Sequence, residues 1–163
     1  MTTEQSSQRA PVIAVVGASR ADGEALRLAE QVGRAIGRRG WNLICGGGDG
    51  VMEAACRGFA AARPAGARAV SIGVLPGDDP AWANAHADVV LPTGIGIARN
   101  AIIVRAAAGV VAVGGQSGTL SEIAYAWQMG KPIAALRPSG GWSGRLAGEV
   151  VDDRRREPIL SAD

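Results

Sequence analysis

Residues 12–51 read VIAVVGASRADGEALRLAEQVGRAIGRRGWNLICGGGDGV, and this stretch decides the fold. Val12–Val16 is a continuous apolar run of strand length that ends at Gly17. Ala25, Leu28, Ala29, Val32, Ala35 and Ile36 then recur at the i, i+3, i+4, i+7 spacing of an amphipathic helix. That helix extends from about Gly23 to Gly40, where glycine serves as a natural C-terminal stop. Trp41–Cys45 forms a second apolar strand, broken by Gly46–Gly50. Val51, Met52, Ala54, Ala55, Phe59 and Ala62 resume the helical spacing until Arg63-Pro64.

The alternation continues to the end of the chain. Val70–Leu75 is a third strand, stopped by Pro76-Gly77, and Asp78–His86 is loop. Asp88–Leu91 is a short strand, Thr93–Ala98 a glycine-bearing loop, and Arg99–Ala108 a helix. Val110–Val113 is a strand, followed by Gly114–Gly118, a helix over Thr119–Met129 and a strand over Pro132–Leu136. Pro138–Gly144 reads as loop, Arg145–Arg156 as helix and Pro158–Asp163 as an extended end. Strands alternating with helices mean βαβ units and a parallel sheet. Strands that are apolar throughout are buried on both faces. The expected class is α/β, a Rossmann-like doubly wound parallel sheet in one domain over 11–163, preceded by a disordered tail over 1–10. A closed eight-stranded barrel needs roughly 200 residues or more.

Composition narrows the function classes. The chain has 163 residues, a net charge of +2 and 4% aromatic residues. Weak charge and few stacking platforms argue against a nucleic-acid partner. Cys45 and Cys56 are too few for a disulfide scaffold, and His86 is the sole histidine, so no metal centre is expected. Both cysteines are expected to be buried and inert. Lys131 is the sole lysine and stands before Pro132 at a strand start, a poor place for a Schiff-base nucleophile. No run reaches the roughly 18 apolar residues of a membrane span. The polar opening MTTEQSSQRA has no apolar signal segment, so a cytoplasmic location is expected.

In an open parallel sheet, ligands bind beyond the carboxyl ends of the strands. Gly17-Ala18-Ser19, Gly46–Gly50 and Gly114–Gly118 fall at such ends, and Gly94-Ile95-Gly96 precedes the helix at Arg99. Gly46–Gly50 and Gly114–Gly118 run straight into helix N-termini, where free N–H groups and the positive dipole end favour an anion. The dipole contributes about 0.3–1 kcal/mol at exposed sites. The spacing matches neither standard nucleotide fingerprint: Val51 occupies the last glycine position of G-x-G-x-x-G, and Tyr125 occupies the first glycine position ahead of Gly130-Lys131.

Individual side chains carry two readings each. Thr119-Leu120-Ser121-Glu122 is a capping-box sequence, and Glu122 is alternatively a carboxylate facing a sugar or base. Arg99 is either a surface cation or a ligand group. Its place at a helix start opposes the dipole, and a bound phosphate would offset that conflict. Asp49 would cap the helix or meet a hydroxyl. Asn84 and Asn100 suit a base or pterin edge, with surface polar roles favoured. Trp127, one turn after Ile123, suits core or subunit packing.

Taken together, Gly46-Gly47-Gly48-Asp49-Gly50-Val51-Met52-Glu53, Gly96-Ile97-Ala98-Arg99-Asn100 and Gly114-Gly115-Gln116-Ser117-Gly118-Thr119-Leu120-Ser121-Glu122 resemble the LOG superfamily. The resemblance runs from Val12 to about Leu160. It is strongest to the molybdenum cofactor carrier-like branch, which is related to the cytokinin-activating phosphoribohydrolases. It implies a homodimer or homotetramer and a small phosphorylated ligand, either a nucleoside monophosphate or the molybdenum cofactor. No resident cofactor is required. The ligand would sit on Gly17, Ser19, Gly46, Gly47, Gly48, Gly50, Met52, Asn100, Gly114, Gly115, Ser117, Gly118 and Thr119. In the hydrolase branch an arginine and a glutamate carry catalysis, and Arg99 and Glu122 match them. Two positions depart from the hydrolase pattern: Asn100 replaces the usual lysine, and Val113 rather than proline precedes Gly114-Gly115. Relatives usually add a last helix beyond the position of Asp163. A binding or carrier protein is therefore the leading expectation, and cleavage of a nucleoside 5′-monophosphate to free base and ribose 5-phosphate the alternative.

Overall fold

The computed structural model describes residues 9–163. Most of the segment expected as a tail lies outside the described residues. The described strands are all parallel: β1 (Val12–Gly17), β2 (Asn42–Cys45), β3 (Ser71–Leu75), β4 (Val89–Pro92), β5 (Gly109–Val113), β6 (Ile133–Leu136) and β7 (Leu160–Ala162). They form one seven-stranded sheet in the order β4-β3-β2-β1-β5-β6-β7. The α/β Rossmann-like class expected from the alternation is the class observed.

The chain winds outward from β1 through β2, β3 and β4, then returns to the other side of β1. Ile13 consequently pairs with Leu43 on one side and Gly109 on the other. The reversal leaves a crevice between the carboxyl ends of β1 and β5, the switch point at which such sheets bind ligands.

Helices α1 (Gly23–Arg38) and α2 (Val51–Ala62) cover one face, and α3 (Arg99–Ala106), α4 (Ser117–Gln128) and α5 (Gly141–Leu146) the other. Alternation along β1 supplies both cores. Val15 joins Leu28, Leu43 and Phe59, whereas Ala14 and Val16 join Ile103, Ile123 and Trp127. Full burial of a side chain such as Phe59 contributes about 1.5–3 kcal/mol. A methyl group at Gly33 or Gly58 would overlap the carbonyl of Ala55 or Glu30, so α1 and α2 cross in backbone contact.

Asp22 caps α1 by accepting from the Ala25 N–H at 2.9 Å, and Gly40 follows its end at φ +65°. The strongly periodic segments therefore begin and end near their expected positions. The C-terminal region does not. In place of a loop over Pro138–Gly144 and a helix over Arg145–Arg156, helix α5 occupies Gly141–Leu146 and the following residues are irregular. Gly148 at φ +85° ends the helical path, and the Gly148–Glu149 backbone pairs with Ile159 instead. Arg155 lies over the Trp127 ring at 3.9 Å, and Asp152 accepts from Trp127 Nε1 at 2.7 Å. The extended end becomes β7, an edge strand beside β6. Trp127 itself is core, at 2% exposure.

Candidate functional site

A cavity of about 540 Å³ opens at the carboxyl ends of β1, β2 and β5. Three segments wall it: the turn after β1 (Gly17–Arg20), Gly46 with Met52 from the β2–α2 turn, and the first turns of α4. Arg99 and Asn100 at the start of α3 close the fourth side, with Pro76 and Ile97 at the rim.

The α4 end leaves its first amides without a side-chain cap. Its N-cap, Gln116, is extended and makes no side-chain cap hydrogen bond. The N–H groups of Ser117, Gly118 and Thr119 precede the first intrahelical hydrogen bond, which runs from Leu120 N to Gln116 O at 3.0 Å. The capping-box alternative for Thr119 and Glu122 is overturned. The helix starts at Ser117, so Thr119 lies inside the first turn, buried against Gly115. Glu122 is released to the cavity.

Arg99 and Glu122 both line the cavity. Arg99 Nη1 stands 3.7 Å from Glu122 Oε1, and the two side chains are 15% and 7% exposed. Burial raises the Glu122 carboxyl to about 7, with the Arg99 charge pulling the other way. Burial likewise lowers Arg99 below the usual guanidinium range, against the Glu122 charge. For both groups desolvation outweighs mutual attraction, as expected of a pair without a direct hydrogen bond. Arg99 Nε is buried and has no hydrogen-bond partner. Arg99 is thus not a surface cation.

Asn100 fixes this arrangement and is not a surface residue either. It is 6% exposed, accepts from Arg99 Nη1 at 2.8 Å and donates to Ser121 Oγ at 2.9 Å. Ser121 in turn donates to the Gly118 carbonyl at 2.6 Å. A hydrogen-bonded chain therefore ties the arginine of α3 to the first turn of α4. Gly46 provides the seat: a methyl group there would lie 2.6 Å from Met52 Sδ and 2.8–2.9 Å from the Arg99 guanidinium nitrogens.

The cavity brings together Gly17, Ser19, Gly46, Met52, Arg99, Asn100, Ser117, Gly118, Thr119 and Glu122. Gly47, Gly48 and Gly50 lie outside its lining. Asn84, 7% exposed, donates through Nδ2 to the carbonyls of Gly47 and Gly48 at 3.1 and 3.0 Å. It is a buried strut for the loop, not a surface group. Gly50 lies under Ala18-Ser19, and the Val51 N–H donates to the Ala18 carbonyl at 3.0 Å. The first amide of α2 is therefore spent inside the fold. Asp49 is exposed and makes no cap.

Gly114 and Gly115 line a smaller adjoining cavity of about 190 Å³ with Asp22, Ser139 and Gly141. The Gly114 N–H donates to Ser139 Oγ at 2.7 Å, and the carbonyls of both glycines receive the α5 amides of Ser143 and Trp142. Lys131 Nζ donates to the carbonyls of Arg105 and Ala107 at the end of α3. Among the described residues no group of three or more His, Cys, Asp or Glu is placed to hold a metal ion, and no helix is long and apolar enough to cross a membrane.

Arg20, Pro76, Ile97 and Gln116 also line the cavity, and none is among the site residues expected from the sequence. Arg20 follows Gly17 within the same strand-to-helix turn and was legible from that position. Ile97, 86% exposed, stands in the Thr93–Ala98 loop, where an apolar side chain by itself marks no ligand role.

Comparison with known proteins agrees with this fold. The molybdenum cofactor binding protein from Rippkaea orientalis is 38% identical, with a TM-score of 0.74 over 80% of this chain and 78% of that one. The protein TM1055 is 31% identical, with a TM-score of 0.82 over 93% and 92%. The molybdenum cofactor carrier protein from Chlamydomonas reinhardtii is 34% identical, with a TM-score of 0.70 over 78% and 77%. The model of the SLOG cluster4 family matches residues 10–160. The chain belongs to the SLOG cluster4 family, in the molybdenum cofactor carrier-like branch of the LOG superfamily.

Proposed function

We propose that this protein binds and carries a small phosphorylated ligand of the molybdopterin or nucleotide type in the cavity between Arg99 and the start of α4. One observation carries the reading. The N–H groups of Ser117, Gly118 and Thr119, which no intrahelical carbonyl takes up, belong to residues that line the same cavity as the Arg99 guanidinium. Anions are favoured at such a place by both hydrogen bonding and the helix dipole. A volume of about 540 Å³ is also in the range of small-molecule sites.

A molybdopterin-type cargo fits the residues present. The α4 amides, Arg99 and Arg20 suit its phosphate, Asn100 and Glu122 suit the polar edge of a pterin, and Met52 and Ile97 suit apolar contact. Similarity to carrier proteins supports the same class. The deciding experiment is anaerobic calorimetry with the cofactor, AMP, GMP and inorganic phosphate. Binding of at least one is expected, and no heat with any of them would end the proposal.

A second reading, phosphoribohydrolase action on nucleoside 5′-monophosphates, rests on the Arg99–Glu122 pair. Charged Glu122 would stabilise a cationic, oxocarbenium-like sugar and orient water, while Arg99 would stabilise the phosphate or leaving base. Such stabilisation is worth about 3–4 kcal/mol per group. Release of base and ribose 5-phosphate from AMP, lost in Glu122→Gln, is the expected signature.

Self-association belongs to the same proposal. Leu91 on β4, Ile95 and Ile97 in the segment after it and Ile102 on α3 are exposed, and burying them favours a homodimer or homotetramer. Sedimentation of wild type against Ile97→Asp tests it: a smaller species is expected for the variant. A cytoplasmic location completes the proposal.

A further inference from the structure

We propose that Cys45 and Cys56 form a disulfide on exposure to a peroxide, and that this bond reshapes the ligand cavity and weakens binding there. The inference concerns regulation of the site just described and rests on that reading. The two sulfurs stand 3.7 Å apart, both side chains are fully buried, and both are free thiols. No other function described above uses them.

Their placement links them to the site. Cys45 ends β2 and directly precedes Gly46, which lines the cavity. Cys56 lies four residues after Met52 on α2, hence on the same helix face one turn further on. Met52 Sδ packs on Gly46, and Gly46 seats the Arg99 guanidinium. Cys45 Sγ also accepts from the Gly47 N–H at 3.4 Å. A disulfide needs a sulfur separation of about 2.05 Å, so the sulfurs must close by roughly 1.7 Å. That movement draws the end of β2 toward α2, takes the acceptor from Gly47 and displaces the surface on which Arg99 rests.

The chemistry balances with hydrogen peroxide as oxidant. The Cys56 sulfur, as thiolate, attacks one peroxide oxygen. The O–O bond breaks, and the departing hydroxide takes a proton to become water. The Cys45 sulfur then attacks the sulfenic sulfur of Cys56. The S–S bond forms, the S–O bond breaks, and a second water leaves with the Cys45 proton. Two thiols are oxidised by two electrons, and one peroxide is reduced to two waters. The two sulfurs share one S–H···S contact in which either is the donor, so their roles in these two steps are interchangeable.

The test treats the full chain with hydrogen peroxide, alkylates remaining thiols and maps the products by mass spectrometry. A Cys45–Cys56 peptide that has lost two hydrogens is expected, reversible by dithiothreitol. Hydrogen exchange should change over Gly46–Met52 and at Arg99, and calorimetric affinity for AMP or inorganic phosphate should fall about tenfold. Cys56→Ser and Cys56→Ala should bind like reduced wild type and ignore peroxide. Thiols that stay alkylatable, or a disulfide that leaves exchange at Gly46–Met52 unchanged, would overturn the inference. If reduced protein binds none of the probes, the binding proposal fails instead, and the mapping and exchange results still decide this one.

Discussion

Arg99 Nη1 and Glu122 Oε1 face each other at 3.7 Å, close enough to attract and too far for a hydrogen bond. The two charges are brought out of water and left incompletely paired. A folded protein tolerates such an arrangement at a cost, and binding sites are where it is commonly found.

The cost appears in the pH dependence of stability. Burial lifts the Glu122 carboxyl from 4.5 to about 7. Between these values the folded chain holds a proton that the unfolded chain releases. Stability from this group therefore falls as pH rises through the window, and its full cost is present above about 7. Glu122→Gln should be more stable than wild type at pH 8 by about 1–3 kcal/mol, with the difference shrinking toward pH 5. Urea unfolding at both pH values measures it, and a pH-independent difference would contradict the desolvation account.

Arg99→Lys keeps the charge but loses the planar fork that Asn100 orients. Affinity for phosphate or nucleotide should drop by about 10–100-fold, the effect of losing one or two charge-assisted hydrogen bonds. Calorimetry supplies the affinity and thermal unfolding the control, since stability should change little.

Gly115 and Gly118 should respond oppositely to alanine. Gly115 has φ +96°, and a methyl group there would run into the Thr119 side chain, so Gly115→Ala should cost about 1–3 kcal/mol. Gly118 lies within α4 with open space around it; Gly118→Ala should stabilise by about 0.5–1 kcal/mol through helix propensity. Equilibrium unfolding of the two variants is the comparison.

Asn84→Ala removes the donor that serves the carbonyls of Gly47 and Gly48. The Asn84 backbone N–H still serves the Gly47 carbonyl, so losing the Gly48 partner and the second Gly47 bond should cost about 1–2 kcal/mol. Exchange of amides in the Gly46–Gly50 loop should accelerate, whereas the amides of β5 should be unaffected.

The layout of this protein was legible wherever a segment carries its own instructions. Val12–Val16, the Ala25–Ile36 spacing and the Gly46–Gly50 interruption announce strand, helix and turn without reference to distant residues. The readings that changed depended on neighbours. Arg145–Arg156 has a helical pattern, yet only Arg145-Leu146 are helical, and beyond them the Gly148 and Glu149 backbone pairs with Ile159. Thr119-Leu120-Ser121-Glu122 spells a cap, yet α4 begins two residues earlier.

Sequence alone thus determined the succession of strands and helices and the glycine turns at the strand ends, because hydrophobic period and chain punctuation are local properties. Only the tertiary structure decided which of those turns opens on the cavity. It also set Asn84 beneath the Gly47 carbonyl, 37 residues away along the chain, and Glu122 beside Arg99. The physical reason is that desolvation and ion pairing depend on through-space distance, which no local pattern encodes.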